Sequence, residues 1–322
     1  MKKIITLLFY TFFSQLVAAH PGIGIVKDRK GNIYYTDLEQ IWKIDRDGKK
    51  NIVVPNVHSH ELYIDSADNL FGEHLWYNGE QLNTWGHYVW CLKNDGTLVK
   101  IKEPSPGFLE DYSFVRDEAG NMYWAERFKI SRIKKKTPDG TVSTIAEGKF
   151  KDIRWMHATL QGSVYFVDLN DLYKIDRQGK LTLLAKSLEG KRVSDHSSLK
   201  HHIFGIWLDK NNNVYLAVTG ENLVKKITPD GIVSSFASSS GGWSPTGGVF
   251  NDDGNLWLME WNETNAIRVR KVTPKELLVK SPFKNSLITY SLPILVIAAI
   301  AIVMVARYSR KTINKPLSSF FL

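Results

Sequence analysis

The sequence predicts an all-β chain: a six-bladed β-propeller between an N-terminal signal peptide and one C-terminal transmembrane helix. Three observations lead there. A strand-like phrase recurs six times between residues 20 and 280, a Gly-containing turn follows a second strand-like run in five of those copies, and each end of the chain holds an uncharged apolar run.

The first element is the leader. Lys2 and Lys3 precede an apolar stretch from Ile4 to Phe13, and Val17-Ala18-Ala19 puts small residues where a signal peptidase reads. Residues 1–19 are therefore expected to be removed, leaving His20 at the new N-terminus.

The repeats come next. The phrases GNIYYTD, DNLFGEH, GNMYWAE, GSVYFVD, NNVYLAV and GNLWLME have second residues Asn32, Asn69, Asn121, Ser163, Asn213 and Asn255. Their spacings of 37, 52, 42, 50 and 42 residues bracket the forty-odd residues of a four-stranded blade. Another run and a tight turn follow, as in IWKIDRDG, YVWCLKNDG, ISRIKKKTPDG, DLYKIDRQG and LVKKITPDG, with IRVRKVTPKE in the sixth copy. Asp-Gly between alternating apolar residues signals a hairpin, with positive φ expected at both turn positions. A run before each phrase (SHELYID, IFGIWLD) and one after each turn (TLVKI, LTLLAK) complete four strands, A to D, in every copy. Residues 20–280 form the propeller.

On these motifs the chain resembles the six-bladed propellers of the NHL-repeat, senescence marker protein/gluconolactonase and streptogramin lyase group. The resemblance implies the fold, and it implies lactonase, esterase, lyase or pure binding activity without choosing among them. It departs at particular residues. Metal ligands of the lactonases are carboxylates or amides at the position class that His60, Arg154 and Thr246 occupy here, and Thr246 also stands where the lyases carry a histidine.

Strand direction locates the working face. A leaves it and B returns, so the D-to-A and B-to-C loops share one face, and the long connections lie there. They include Gly72 to Tyr88 between B and C of the second copy, the KEPSPGFLED and SLEGKRVSDHSSLKHH loops, and SSSGGWSP with Trp243.

Aligned copies place Ile23, His60, Tyr112, Arg154, Phe204 and Thr246 in one position class near the channel, with Pro21, His58, Glu110, Asp152, His202 and Ser244 two residues earlier. Alternate strand residues share a side, so His58 and His60 are expected to point together. His58, His60 and His202 could hold one divalent metal ion, with Glu110 or Asp152 beside it. Arg154 would grip an anionic substrate, and Glu110 and Tyr112 complete a candidate catalytic set. Wet channels also collect polar side chains without any metal.

Five residues after the repeated Asn or Ser come Asp37, His74, Glu126, Asp168, Val218 and Glu260. The four acids are expected to accept backbone hydrogen bonds from the following turn. His74 breaks that pattern and opens an aromatic loop with Trp76, Tyr77, Trp85, His87, Tyr88 and Trp90 nearby. With Trp243, His74, Trp76, Tyr77, Trp85 and His87 are the candidate ligand-binding residues, suited to stacking on a sugar ring or an apolar ligand.

Composition narrows the partners. The net charge is +9, but Lys2, Lys3, Arg307, Arg310, Lys311 and Lys315 lie in the two ends, and subtracting these six leaves +3 between them. A nucleic-acid surface is not implied. Cys91 is the sole cysteine, which excludes an intrachain disulfide and a cysteine-based zinc site.

The last element is the anchor. After a linker at 281–286, residues 287–306 (LITYSLPILVIAAIAIVMVA) carry no charge, and twenty residues at 1.5 Å rise match a hydrocarbon core about 30 Å thick. Arg307, Arg310 and Lys311 then hold the 307–322 tail in the cytoplasm, leaving the propeller periplasmic or extracellular. Two functional readings follow: recognition of a small molecule or a protein at the loop-rich face, or metal-assisted hydrolysis or elimination at the channel mouth.

Overall fold

A computed structural model describes residues 21–109, 112–126, 131–190, 202–272 and 277. The chain divides into two compact units, Met1–Leu277 and Leu278–Leu322. The expected signal peptide and transmembrane run lie outside the described residues, among which no helix is long and apolar enough to cross a membrane.

The first unit is a six-bladed β-propeller. Blade one consists of β1 (Ile25–Lys27), β2 (Ile33–Thr36), β3 (Ile41–Ile44) and β4 (Lys50–Val54). Blade two has β5 (Leu62–Ile64), β6 (Leu70–Tyr77), β7 (Trp85–Leu92) and β8 (Leu98–Pro106), and blade three has β9 (Met122–Glu126), β10 (Ser131–Lys136) and β11 (Val142–Gly148). Blade four follows with β12 (Ile153–Ala158), β13 (Val164–Asp168), β14 (Asp171–Ile175) and β15 (Leu181–Ala185). Blade five has β16 (Ile203–Leu208), β17 (Val214–Val218), β18 (Leu223–Ile227) and β19 (Val233–Ser238), and blade six has β20 (Trp243–Phe250), β21 (Leu256–Asn262) and β22 (Ile267–Val272). Each sheet is an antiparallel meander in chain order.

Blade three departs from the expected four strands, keeping of its strand A a single bridge, Arg116 to Met122. Blade six shows three strands among the described residues, and the run after β22 expected to supply its fourth lies almost wholly outside them.

The turns explain the repeat. In blade one the Gly31 amide donates to the Asp28 carbonyl at 3.1 Å and the Asp28 amide to the Asn32 carbonyl at 3.0 Å. This is a type I turn followed by one left-handed residue, and that residue is Gly31, Asp68, Gly120, Gly162, Asn212 or Gly254 in the six copies. The C–D turns do the same with Gly48, Gly96, Gly140, Gly179 and Gly231. Positive φ is needed at one position, not at both, which corrects the two-residue turn expected from Asp-Gly.

The repeated Asn is a staple. Asp28 accepts the backbone amide of Asn32 at 2.7 Å and its side-chain amide at 2.6 Å, and Tyr34 adds its hydroxyl. Asp117 with Asn121 and Tyr123, and Asp209 with Asn213 and Tyr215, repeat the arrangement.

Sheet faces then pack blade on blade. Ile41 and Val54 meet Leu62, Leu70 and Trp90 across blades one and two, and Leu172 meets Val214 and Leu216 across four and five. Each such buried aliphatic side chain contributes about 1.5–3 kcal/mol relative to exposure. Blade six closes on blade one through Met259 packed with Ile25, Ile33 and Tyr35, and through a Lys27–Asp252 ion pair. Near the axis the inner strands come so close that a Cβ on Gly247 would stand 2.7 Å from the Ile23 carbonyl oxygen. Gly205 has φ +56°, and a Cβ there would collide with the Thr246 carbonyl.

Candidate functional site

The site is built on blade two, where β6 and β7 run eight residues each and project a hairpin beyond the neighbouring strands. Two glycines give the hairpin room for its indoles. Trp90 lies over Gly72 and Trp76 over Gly86, and a Cβ at either glycine would collide with the ring. The Trp90 indole N–H is spent inside the fold, on the Glu73 carbonyl at 2.9 Å.

Strand alternation sorts the remaining side chains. His74 is paired with Tyr88, their ring centroids 5.0 Å apart, and His74 stacks on Trp76 at 5.7 Å. Lys100 of β8 lies 5.0 Å from the Tyr88 ring. On the opposite side, Tyr77 meets Trp85 at 5.0 Å and Trp85 stacks on Phe108 at 5.5 Å, with Tyr77 and Phe108 exposed.

The loop before β5 brings histidines against this hairpin. The His58 amide donates to Nδ1 of His74 at 3.0 Å, and His58 Nδ1 is 2.8 Å from the Leu38 carbonyl oxygen. A carbonyl only accepts, so His58 carries its proton on Nδ1 and presents an Nε2 lone pair. His74 is the reverse: its Nδ1 accepts, so the neutral ring carries the proton on Nε2. Burial holds both imidazoles below the ordinary histidine value, and the neighbouring His60 lowers His58 further. His60 stands edge-on to His58 at 4.7 Å, with its amide donating to Glu73 Oε1 at 2.7 Å. Glu73 is a buried acid that the sequence reading passed over, although an acid inside the apolar run LFGEHLWY was a visible signal.

The expected metal set is not assembled. Among the described residues no group of three or more His, Cys, Asp or Glu side chains is placed to hold a metal ion. His58 and His60 adjoin, but His202 belongs to blade five, where its ring packs against Gly220. The position classes align along the chain, yet the same register in blades two and five points to different neighbours.

Other expected residues divide. Arg154, near the start of β12, is held by the residue just before that strand, its Nε donating to Asp152 at 2.8 Å. Tyr112 is covered by Arg116, whose guanidinium lies 4.8 Å from its ring and 5.3 Å from that of Tyr63; burial raises the Tyr112 hydroxyl pKa. Glu110 lies outside the described residues. His87 is buried, with Nδ1 2.9 Å from the Gly107 carbonyl oxygen, so it supports the hairpin rather than lining its surface. Trp243 sits on blade six beneath Arg268, at 4.2 Å.

The repeated acids are only partly the turn acceptors expected. Asp37 accepts the amides of Glu39 and Gln40 in the following turn. Asp168 instead accepts from Lys151 and Asp152, ahead of its blade's first strand, and His74 Nδ1 does the same for His58. His74 therefore fills the acceptor role of an acid in that class. Glu126 pairs with Arg132 and Lys134, and Glu260 with Arg268 and Arg270.

Comparison with solved structures matches this architecture. A luciferin-regenerating enzyme is 12% identical with a TM-score of 0.53, covering 79% of this chain and 92% of that one. A gluconolactonase from Xanthomonas campestris is 11% identical with a TM-score of 0.52, covering 77% and 85%. Virginiamycin B lyase from Staphylococcus aureus is 15% identical over 80% and 86%, at a TM-score of 0.44. The first two, both above a TM-score of 0.5, show that the chain shares their fold. No family model matches it, and no curated protein matches it.

Proposed function

We propose that this protein is a membrane-anchored propeller outside the cytoplasm that recognises a small molecule or a protein on its loop-rich face, with the β6–β7 hairpin as the main contact. The observation that carries the reading is the His58–His74–Trp76–Tyr88 cluster. It offers an acceptor at His58 Nε2, a donor at His74 Nε2 and two large rings, the few polar groups on an aromatic wall that ligand sites use. The anchor rests on the apolar run at 287–306 and the basic residues after it.

A hydrolase or lyase is the second reading, and one observation favours it: the neutral His58 ring has a lone pair at Nε2 while Leu38 fixes its orientation, as a general base requires. The test is a thermal-shift screen of the full-length protein against sugars, lactones and acyl esters. A stabilising compound should lose its effect in Trp76→Ala and in His74→Ala, and keep it in Lys180→Ala on the far rim of blade four. Stabilisation unchanged in both hairpin variants would overturn the reading. Turnover of the compound, abolished in His58→Ala, would establish the enzymatic form.

A further inference from the structure

On blade six, away from the hairpin, Glu260 is fully buried and meets two guanidinium groups. Its Oε2 accepts from Arg268 Nε at 2.7 Å, and both its oxygens lie 3.1 Å from Arg270 Nε. Ser239 Oγ adds a bond at 2.6 Å, and Arg270 donates a terminal N–H to the Ser238 carbonyl at 3.0 Å. One carboxylate against two guanidiniums leaves a surplus of one positive charge.

The two arginines use that carboxylate differently. Arg270 is consumed by the fold through both its Nε and a terminal nitrogen. Among the described residues, the only hydrogen bond of the Arg268 side chain is made through Nε. Its guanidinium lies 4.2 Å from the Trp243 ring, and the side chain is 39% exposed. The plane of the group is set by the carboxylate below and the indole face beside it, and among the described residues its two terminal nitrogens have no hydrogen-bond partner. A planar fork held at Nε and stacked on an aromatic ring is preorganised for bidentate binding of an oxyanion, because little side-chain freedom is left to lose.

We propose that Arg268, seated on Trp243 and Glu260, is an anion-binding site for a carboxylate or phosphate group. It goes beyond the recognition assigned to the β6–β7 hairpin, which contributes none of these residues. Trp243 forms the ring wall of the site and Arg268 supplies the charge. Glu260 is a positioning residue that never touches the ligand.

The indole N–H signal of Trp243 reports on the site by nuclear magnetic resonance, assigned through Trp243→Phe in the full-length protein. Titration with inorganic phosphate, and separately with acetate, at constant ionic strength should move that signal saturably. Arg268→Gln should weaken the binding by about tenfold or more, since a charged hydrogen-bonded pair is lost. Arg132→Gln, on blade three, should leave it unchanged. Arg268→Lys keeps the charge without the fork, so binding weaker than wild type is expected there too, which keeps the proposal testable should Arg268→Gln misfold. Saturation by phosphate alone would assign a phosphoryl ligand, and saturation by both anions an oxyanion site open to carboxylates. No saturable shift with either anion, or identical binding in the Arg268 variants, would overturn the proposal. Loss of ligand binding at the hairpin variants with the phosphate response intact would leave this site standing alone.

Discussion

The backbone amide of His58 donates to the side-chain Nδ1 of His74, sixteen residues later in the chain, at 3.0 Å. The bond ties the loop entering blade two to the hairpin that carries its aromatic surface. It also requires His74 to be neutral, because a protonated Nδ1 would face the amide as a second donor.

Acid should therefore loosen this loop. His74 and His58 both have pKa values below the ordinary 6.5, so their neutral forms are favoured by the folded state. Their contribution is complete above about pH 6.5 and is lost as pH falls through the depressed folded values. The protection of the His58 amide against hydrogen exchange, measured relative to the intrinsic rate at each pH, should fall as pH drops below about 6.5, and in His74→Phe it should be low at every pH. Equal protection in the variant and the wild type would show that the bond does not hold the loop.

His157 gives a second acid-sensitive point. On β12, burial pushes its pKa down to about 4 from 6.5. The unfolded chain takes up a proton between these values while the folded one does not, so stability declines as pH drops from 6.5 toward 4. Replacing His157 with Phe should flatten that part of a plot of melting temperature against pH. A slope identical to wild type would place the acid sensitivity elsewhere.

Glu260 should be among the costliest side chains to remove. Glu260→Ala leaves Arg268 and Arg270 without their buried partner, and breaking such a pair typically costs about 3–5 kcal/mol. Urea denaturation followed by intrinsic fluorescence would measure it. A loss below about 1 kcal/mol would mean that the arginines find other acceptors or solvent at no penalty.

Two glycines with positive φ should separate conformational strain from crowding. Gly48 has φ +82° and nothing near a built Cβ, whereas Gly205, at φ +56°, meets the Thr246 carbonyl. Gly48→Ala should cost about 1 kcal/mol from backbone conformation alone. Gly205→Ala adds a clash between inner strands and should cost several times more, read as the difference between the two midpoints in the same denaturant series.

The repeat itself was legible because its residues act locally. Asp28, Asn32 and Tyr34 lie within seven positions of one another, so a hairpin staple leaves a trace in any one copy, and its return at Asp117, Asn121 and Tyr123 and at Asp209, Asn213 and Tyr215 makes the repeat plain. The site was legible only where partners are near in the chain. His74, Trp76 and Tyr88 share one hairpin, and the aromatic-rich insertion announced them. The pairing of His58 with His74 and Leu38 depends on how two blades meet, and no spacing rule encodes that. The proposed union of His58 with His202 failed for the same reason: position classes record a residue's place within its blade, while a metal site needs convergence between blades. Arg268 escaped notice because a basic residue on a third strand looks like solvated surface until a buried carboxylate is found beneath it.

The seam between blades one and six has a mechanical consequence. Among the described residues each of these blades pairs only its own strands, and the links named across the seam are the Lys27–Asp252 ion pair and the packing of Met259 on Ile25, Ile33 and Tyr35. Tension applied between residues 22 and 272 would thus part side chains before it strained any β-ladder, and the ring would yield at one joint like a clasp. High salt, which weakens the exposed ion pair but barely touches the apolar contacts, would lower the force at which that clasp opens while leaving the strength of each blade as it was.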